Sequence, residues 1–261
     1  TKSYGQPITK HVNWRVKMII YRGPSMIDGS PIIAIATVKS GNSKTGDMVQ
    51  TWIMADGIEP HKAIKSGDDK SVCGDCTHRP ANDGSCYVLT FQAPLSVYRA
   101  YKRGSYAGRT MEQFRDKPLR MGSYGDPLAV PLEVEGSPDD PEGGGGWREL
   151  IEITKGRTGY THQWQTNTIP AWKGLVMASV DSPAEAEAAT KEGWRYFRVT
   201  NADAPKAKGE AVCPASEEAG KKLNCASCLS CSGQSGQRAS IVINAHGSRA
   251  KNYRLIEHRS T

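Results

Sequence analysis

Leu175-Val-Met-Ala-Ser-Val180-Asp-Ser182-Pro-Ala-Glu185-Ala-Glu-Ala-Ala-Thr-Lys-Glu-Gly193-Trp-Arg-Tyr-Phe-Arg-Val-Thr200 decides the fold class of this chain. Leu175 to Val180 is a short apolar run that reads as a strand. Ser182-Pro-Ala-Glu185 is a capping box with proline in the first helical position, and Gly193 stops the helix. The body between them, from Ala184 to Glu192, consists of strong helix formers. Trp194 to Thr200 then reads as a second strand. Strand, helix and strand in that order form the unit of a parallel sheet.

Working outward, Leu119-Arg-Met-Gly-Ser-Tyr124, Gly159-Tyr-Thr-His-Gln-Trp164 and Ala239-Ser-Ile-Val-Ile-Asn-Ala-His-Gly247 read as further strands of that sheet. Trp147 to Thr154 reads as a short helix, and residues 136–146 as a flexible Gly/Pro/Asp-rich stretch. Upstream, Val16 to Tyr21 and Pro31 to Val38 form a hairpin, with turns at Gly23-Pro24 and Asp28-Gly29, and Met48 to Met54 is a third strand. Pro94 to Gly104 has helical character. The expectation is a single α/β domain over residues 1–261, with a partial (β/α) barrel-like sheet and an N-terminal β-hairpin region. Cysteine-rich metal-binding loops are inserted at 56–90 and 205–238.

The seven cysteines fall into two groups. Cys73 and Cys76 form one CxxC, with Cys86 ten residues on. Cys213-Pro214 precedes the overlapping run Cys225-Ala-Ser-Cys228-Leu-Ser-Cys231. A chain of 261 residues buries an adequate core without disulfides, and these are ligand spacings. Thiolates select zinc, iron–sulfur clusters or Cu(I). The CxxCxxC run has the spacing of a bacterial ferredoxin and points to a [4Fe–4S] cluster, whereas zinc more often uses two separate CxxC knuckles. The first group leaves one position open, for His78 or water on zinc, or for a small molecule on a cluster. The competing readings are that His78 is a loop residue, that Cys86 packs as part of a strand, and that all seven cysteines share sites across the two groups.

Ligands of parallel α/β sheets bind at the C-terminal ends of strands. Asp126, His162 and His246 stand at such ends and are the candidate acid/base residues, against readings as a turn residue and as satisfied histidines. Trp164, Trp172 and Trp194 read as core. Dinucleotide, P-loop and nucleophile-elbow motifs are absent from the sequence, and Gly143 to Gly146 is a linker. The net charge of +7 permits a nucleic-acid partner, with basic clusters at 99–103, 115–120, 206–208 and 249–259, and equally suits solvated faces. No signal peptide or stretch near the ~18 apolar residues of a membrane span is evident. A reducing cytoplasm is the expected compartment, without a membrane partner.

Asn42-Ser-Lys-Thr45, Cys86-Tyr87, Cys213-Pro214, Cys225 to Cys231 and His246-Gly247, in that order, resemble a poorly characterised cysteine-rich family of tailed-phage proteins. That resemblance covers about residues 40–250 and implies a host-cell cytoplasmic setting without implying an activity. The count of three plus four cysteines and the β/α alternation are also similar to radical SAM enzymes. Those have a partial barrel, a three-cysteine [4Fe–4S] cluster whose open iron binds S-adenosylmethionine, and often an auxiliary four-cysteine cluster. The chain departs from them in lacking CxxxCxxC and a Gly-Gly-Glu stretch. Two function classes follow. One is an iron–sulfur enzyme acting on a small molecule or nucleic acid, with Cys73, Cys76 and Cys86 at its cleft. The other is a zinc-stabilised basic protein that binds nucleic acid without catalysis.

Overall fold

The computed structural model describes residues 18–38, 41–106, 112–134, 146–201, 204, 206–220, 222–234 and 239–253. Nine strands form one mixed sheet that does not close: β1 (Ile19–Pro24), β2 (Pro31–Thr37), β3 (Val49–Ala55), β4 (Leu119–Tyr124), β5 (Arg157–Thr161), β6 (Met177–Val180), β7 (Tyr196–Thr200), β8 (Glu210–Val212) and β9 (Ser240–Asn244). Their spatial order is β1-β2-β3-β4-β5-β6-β7-β9-β8. The first three strands pair antiparallel and every later neighbour pairs parallel. The hairpin expected at the N-terminus is β1–β2, continued as a meander into β3.

Six α-helices lie among the described residues. α1 (Pro60–Ser66), α2 (Lys70–Cys73) and α3 (Ala93–Lys102) pack near β3, α4 (Trp147–Ile153) precedes β5, and α5 (Pro183–Lys191) packs on β6 and β7. α6 (Cys225–Cys228) is a single turn. α5 starts at the capping box: the Ser182 hydroxyl accepts from the Glu185 amide at 3.2 Å. The Glu185 carboxylate, however, accepts from the amide of Asp181 at 2.6 Å, one residue before the cap. The cap therefore also fixes the residue that follows β6, which matters below.

The period-2 alternation of the strands sorts side chains onto two faces. Leu119, Met121, Val176, Ala178, Val180 and Tyr196 join the main core with Ala186 and Ala189 of α5. Met177, Ile241 and Ile243 gather in a second cluster with Cys213 and Cys231, against which Tyr160, Phe197, Val199 and Cys225 pack. The helix-covered face and the cysteine-bearing face of β5 to β9 are thus distinct. Trp164, Trp172 and Trp194 are all buried, as expected of core residues.

Several expectations need correction. Residues 56–86 are not simply a loop: α1, α2 and a 3-10 turn at Pro80–Asn82 occupy much of them. α1 is marked by Pro60 at its start and Gly67 in the left-handed region at its end, signals available in the sequence. The 205–238 insertion contains β8, which the short run Glu210-Ala-Val212 did not announce. The strand read at 159–164 runs from Arg157 to Thr161, so His162 follows the strand and does not lie within it. The linker at 136–146 lies outside the described residues except for Gly146. So do Val16 and Lys17 of the expected hairpin and residues 254–259 of the last basic cluster. No helix among the described residues is long and apolar enough to cross a membrane.

Candidate metal centre

A cavity of about 390 Å³ opens at the C-terminal ends of β4 to β9 and is lined from both cysteine groups. Cys73, Cys76 and Cys86 border it on one side, Cys213 and Cys225 on the other. Tyr87, Tyr160, Phe197, Val199 and Ile243 supply apolar wall. All seven cysteines carry free thiols.

The first group is held by local backbone geometry. Cys73 ends α2, and its amide donates to the Asp69 carbonyl at 2.9 Å. The Cys76 amide donates to the Cys73 carbonyl at 3.2 Å and the Cys86 amide to the His78 carbonyl at 2.9 Å, which closes the loop. Arg79 clamps it from below, pairing both oxygens of buried Asp69 at 2.6 and 3.0 Å and reaching the Gly67 and Gly74 carbonyls. A bidentate, buried pair of this kind orients a loop as well as stabilising it.

The second group is held from elsewhere in the chain. The amides of Cys225 and Ala226 each donate at 2.9 Å to the carbonyls of Lys44 and Thr45. Asn224 caps the turn by accepting from the Ser227 amide at 2.9 Å. The Cys213 amide pairs with Val242 on β9, and the Cys231 carbonyl accepts from the Gly159 amide at 3.1 Å at the start of the cavity-side wall. The Asn42-Ser-Lys-Thr45 segment is therefore the platform on which the second group sits.

Burial pushes the Cys73 thiol well up, and the neighbouring Cys76 and Cys86 push it further. Cys86 rises to about 11 and Cys231 to about 12, burial again being the largest cause. Burial also raises Cys213 and Cys225, against the opposing effect of Lys44 on both and of Arg120 on Cys225. Reactive cysteines have depressed values, so this environment does not make an activated nucleophile.

The three candidate acid/base residues all line the cavity, in different roles. Asp126 is buried and fully engaged: it accepts from the amide of Leu128 at 3.0 Å and from that of His162 at 2.9 Å. It caps a turn and positions the backbone of His162. His246 stacks on Tyr87 at 5.0 Å between ring centroids, and its Nε2 lies 3.4 Å from Lys44 Nζ. His162 approaches Cys76 Sγ at 3.9 Å and Asp181 Oδ2 at 3.5 Å. Both contacts use the same nitrogen, Nε2, so His162 cannot relay a proton between thiol and carboxylate as a Cys-His-Asp triad does.

In the sequence Asp181 is simply the residue that follows the strand read at 175–180. The structure makes it a hub. Its Oδ1 lies 2.6 Å from His78 Nε2, and its Oδ2 accepts from the Thr77 hydroxyl at 2.5 Å. Burial alone would raise its carboxyl, but the imidazoles of His162 and His78 outweigh that and hold it well below the usual range. Burial likewise pulls His162 down, and Cys76 and Asp181 outweigh it, so the imidazole is held well above its usual value.

Arg120, from the basic cluster at 115–120, and Tyr124 complete the wall. Arg120, half-buried on β4, donates to the Tyr87 hydroxyl at 2.7 Å and forms no ion pair with a described carboxylate. The Tyr124 hydroxyl is buried with no hydrogen-bond partner among the described residues. The turn after it depends on Gly125, at φ +84°, where a Cβ would meet the Ile53 backbone oxygen at 2.7 Å. A larger cleft of about 860 Å³ adjoins the cavity, shares Asn42, Lys44, Ile243, Ala245 and His246 with it, and is lined by no cysteine among the described residues. Comparison with family models, with curated proteins and with solved structures gives no match.

Proposed function

We propose that this chain is an iron–sulfur protein of phage type. In this reading Cys73, Cys76 and Cys86 hold one [4Fe–4S] cluster at the cavity, and Cys213, Cys225, Cys228 and Cys231 hold a second, mainly structural one. The observation that carries the reading is the convergence of both cysteine groups on one cavity at the strand ends.

The overlapping CxxCxxC spacing of Cys225, Cys228 and Cys231 favours a cluster over zinc, which more often uses two separate CxxC knuckles. The orphaned Tyr124 hydroxyl also fits, because Cys73 and Cys86 are among the groups that oppose its ionisation. A buried hydroxyl without a partner costs about 1–3 kcal/mol, which a cluster sulfur accepting a hydrogen bond from it would offset.

When bound, a cluster held by three protein thiolates leaves one iron open to a small molecule and supplies single electrons. The chain's own residues would then select the ligand. Arg120, together with Lys44, offers positive charge to an anionic end, and Tyr87, Tyr160 and Phe197 exclude water from the remainder. The sequential order of β3 to β7, with three cysteines after the first parallel strand, supports a partial-barrel, radical-SAM-like enzyme with S-adenosylmethionine as the ligand. The phage resemblance implies that the enzyme acts in the host cytoplasm, on a small molecule or nucleic acid. The competing function is a zinc-stabilised basic protein that binds nucleic acid.

Anaerobic reconstitution followed by iron, sulfide and zinc analysis separates the two. About eight iron and eight sulfide per chain is the expected result for two cubane clusters. Colourless protein with two zinc ions and no sulfide overturns the reading. Reductive cleavage of S-adenosylmethionine by the loaded protein tests the enzymatic part.

A further inference from the structure

We propose that His78, His162 and Asp181 form a separate binding site for one divalent first-row transition-metal ion, beside the first cysteine group. The three donors come from three segments: the first cysteine loop, the turn after β5 and the end of β6. One ligand atom from each of His78, His162 and Asp181 lies within 4.8 Å of the others, and no other group of three or more His, Cys, Asp or Glu ligand atoms does so among the described residues. Their side chains are 11%, 21% and 8% exposed, so the donors are largely withdrawn from water yet not sealed.

The surroundings are those of a held ligand set. A metal-binding histidine uses its second nitrogen to fix its tautomer and ring orientation. His78 Nδ1 lies 2.6 Å from the Ser85 hydroxyl, and the ring stacks on Tyr253 at 5.9 Å. A metal ion on Nε2 would take the place of the proton that Nε2 shares with Asp181 Oδ1 at 2.6 Å, with the Ser85 hydroxyl then accepting from Nδ1–H. Asp181 is immobilised at every polar atom: its amide by Glu185, its carbonyl by the Tyr253 hydroxyl at 2.9 Å, and its Oδ2 by Thr77.

Two imidazoles and one carboxylate suit divalent iron, manganese, cobalt or zinc and leave coordination positions open. Metal–donor distances of about 2.0–2.2 Å put neighbouring donors roughly 3 Å apart, so His78 would yield by a few tenths of an ångström and His162 would close by a similar amount. Both histidines line the cavity, and Asp181 stands behind them. The ion's open positions would therefore face the space that the first cysteine group also borders. The site adjoins the first cysteine group, with Cys76 Sγ 3.9 Å from His162 Nε2.

Mn²⁺ is the probe, because a hard ion avoids thiolates. The full chain, its cysteine sites already loaded, is titrated with Mn²⁺ while the signal of the free ion is followed by electron paramagnetic resonance. One Mn²⁺ per chain is expected. Asp181→Asn should weaken binding by about tenfold or more, and Ser85→Ala by roughly tenfold, as loss of an outer partner does. Nitrogen couplings from two histidines to the bound ion in the unaltered protein give a readout that needs no variant. Failure to bind Mn²⁺, binding unaffected by Asp181→Asn in a folded variant, or a bound ion without histidine couplings would each overturn the proposal. Iron and sulfide content, measured on the same samples, reports separately on the cysteine sites.

Discussion

The amide of Cys225 donates to the carbonyl of Lys44 at 2.9 Å, joining the last cysteine run to the loop between β2 and β3. This bond and its neighbour from Ala226 explain how cysteines late in the chain come to border a cavity whose other side is built before β4. They also put Lys44 beside the second group, where it favours thiolate at Cys213 and Cys225.

Asn224 holds the turn in place, so Asn224→Ala should cost about 1 kcal/mol, the usual value of a helix cap. Thermal denaturation of the two proteins measures it. Iron bound after reconstitution should fall at the second site only, leaving the content nearer about four than about eight per chain.

The two cysteine groups are expected to load independently. Replacing Cys73, Cys76 and Cys86 together by Ser should remove about half of the iron and sulfide, and Cys225→Ser with Cys228→Ser about the other half. Loss of all iron in either variant would show a site shared between the groups.

Tyr124→Phe removes a hydroxyl that the described residues leave unpaired. The fold should therefore be unaffected or slightly stabilised. Donors to cluster sulfurs raise reduction potential. A hydrogen bond worth about 0.5–1.5 kcal/mol corresponds to roughly 20–60 mV for one electron, so the potential of the proposed first cluster should fall by that amount in a redox titration.

Gly84 closes the first cysteine loop. A Cβ there would lie 2.3 Å from the carbonyl carbon of His78, which is backbone and cannot rotate away. Gly84→Ala should destabilise the protein by about 1–3 kcal/mol through overpacking. Because the same carbonyl accepts from the Cys86 amide, the variant should also lose iron at the first site.

The pH dependence of stability should report on Arg198 and Glu210, which pair bidentately at 2.7 Å on β7 and β8. Burial pushes the Glu210 carboxyl up, but Arg198 and the Ala207 amide outweigh it and hold the group below its ordinary value. A depressed carboxyl stabilises the fold above its unfolded value of about 4.3, and that contribution is lost as pH falls through the folded one. Glu210→Gln removes the charge that pairs bidentately with buried Arg198, at a cost of roughly 3–5 kcal/mol near neutral pH. The gap between variant and parent, measured by chemical denaturation, should narrow below about pH 4.

Local signals made part of this molecule legible from residues alone. The capping box at Ser182, the apolar run before it and the strand after Gly193 define β6, α5 and β7 without reference to any other segment. The cysteine grouping is equally local, because CxxC spacing brings two sulfurs together whatever the surrounding fold. By contrast, β8 is three residues long and exists because β9 offers it an edge. The meeting of Asp181 with His78 and His162 has no local signature either: it follows from β5 and β6 lying side by side and from the first cysteine loop folding over their ends. Residue spacing determined which side chains could bind a metal together within a segment. Strand order and burial alone decided that two cysteine groups and a His-His-Asp cluster border one cavity, because contacts between distant segments depend on the sheet as a whole.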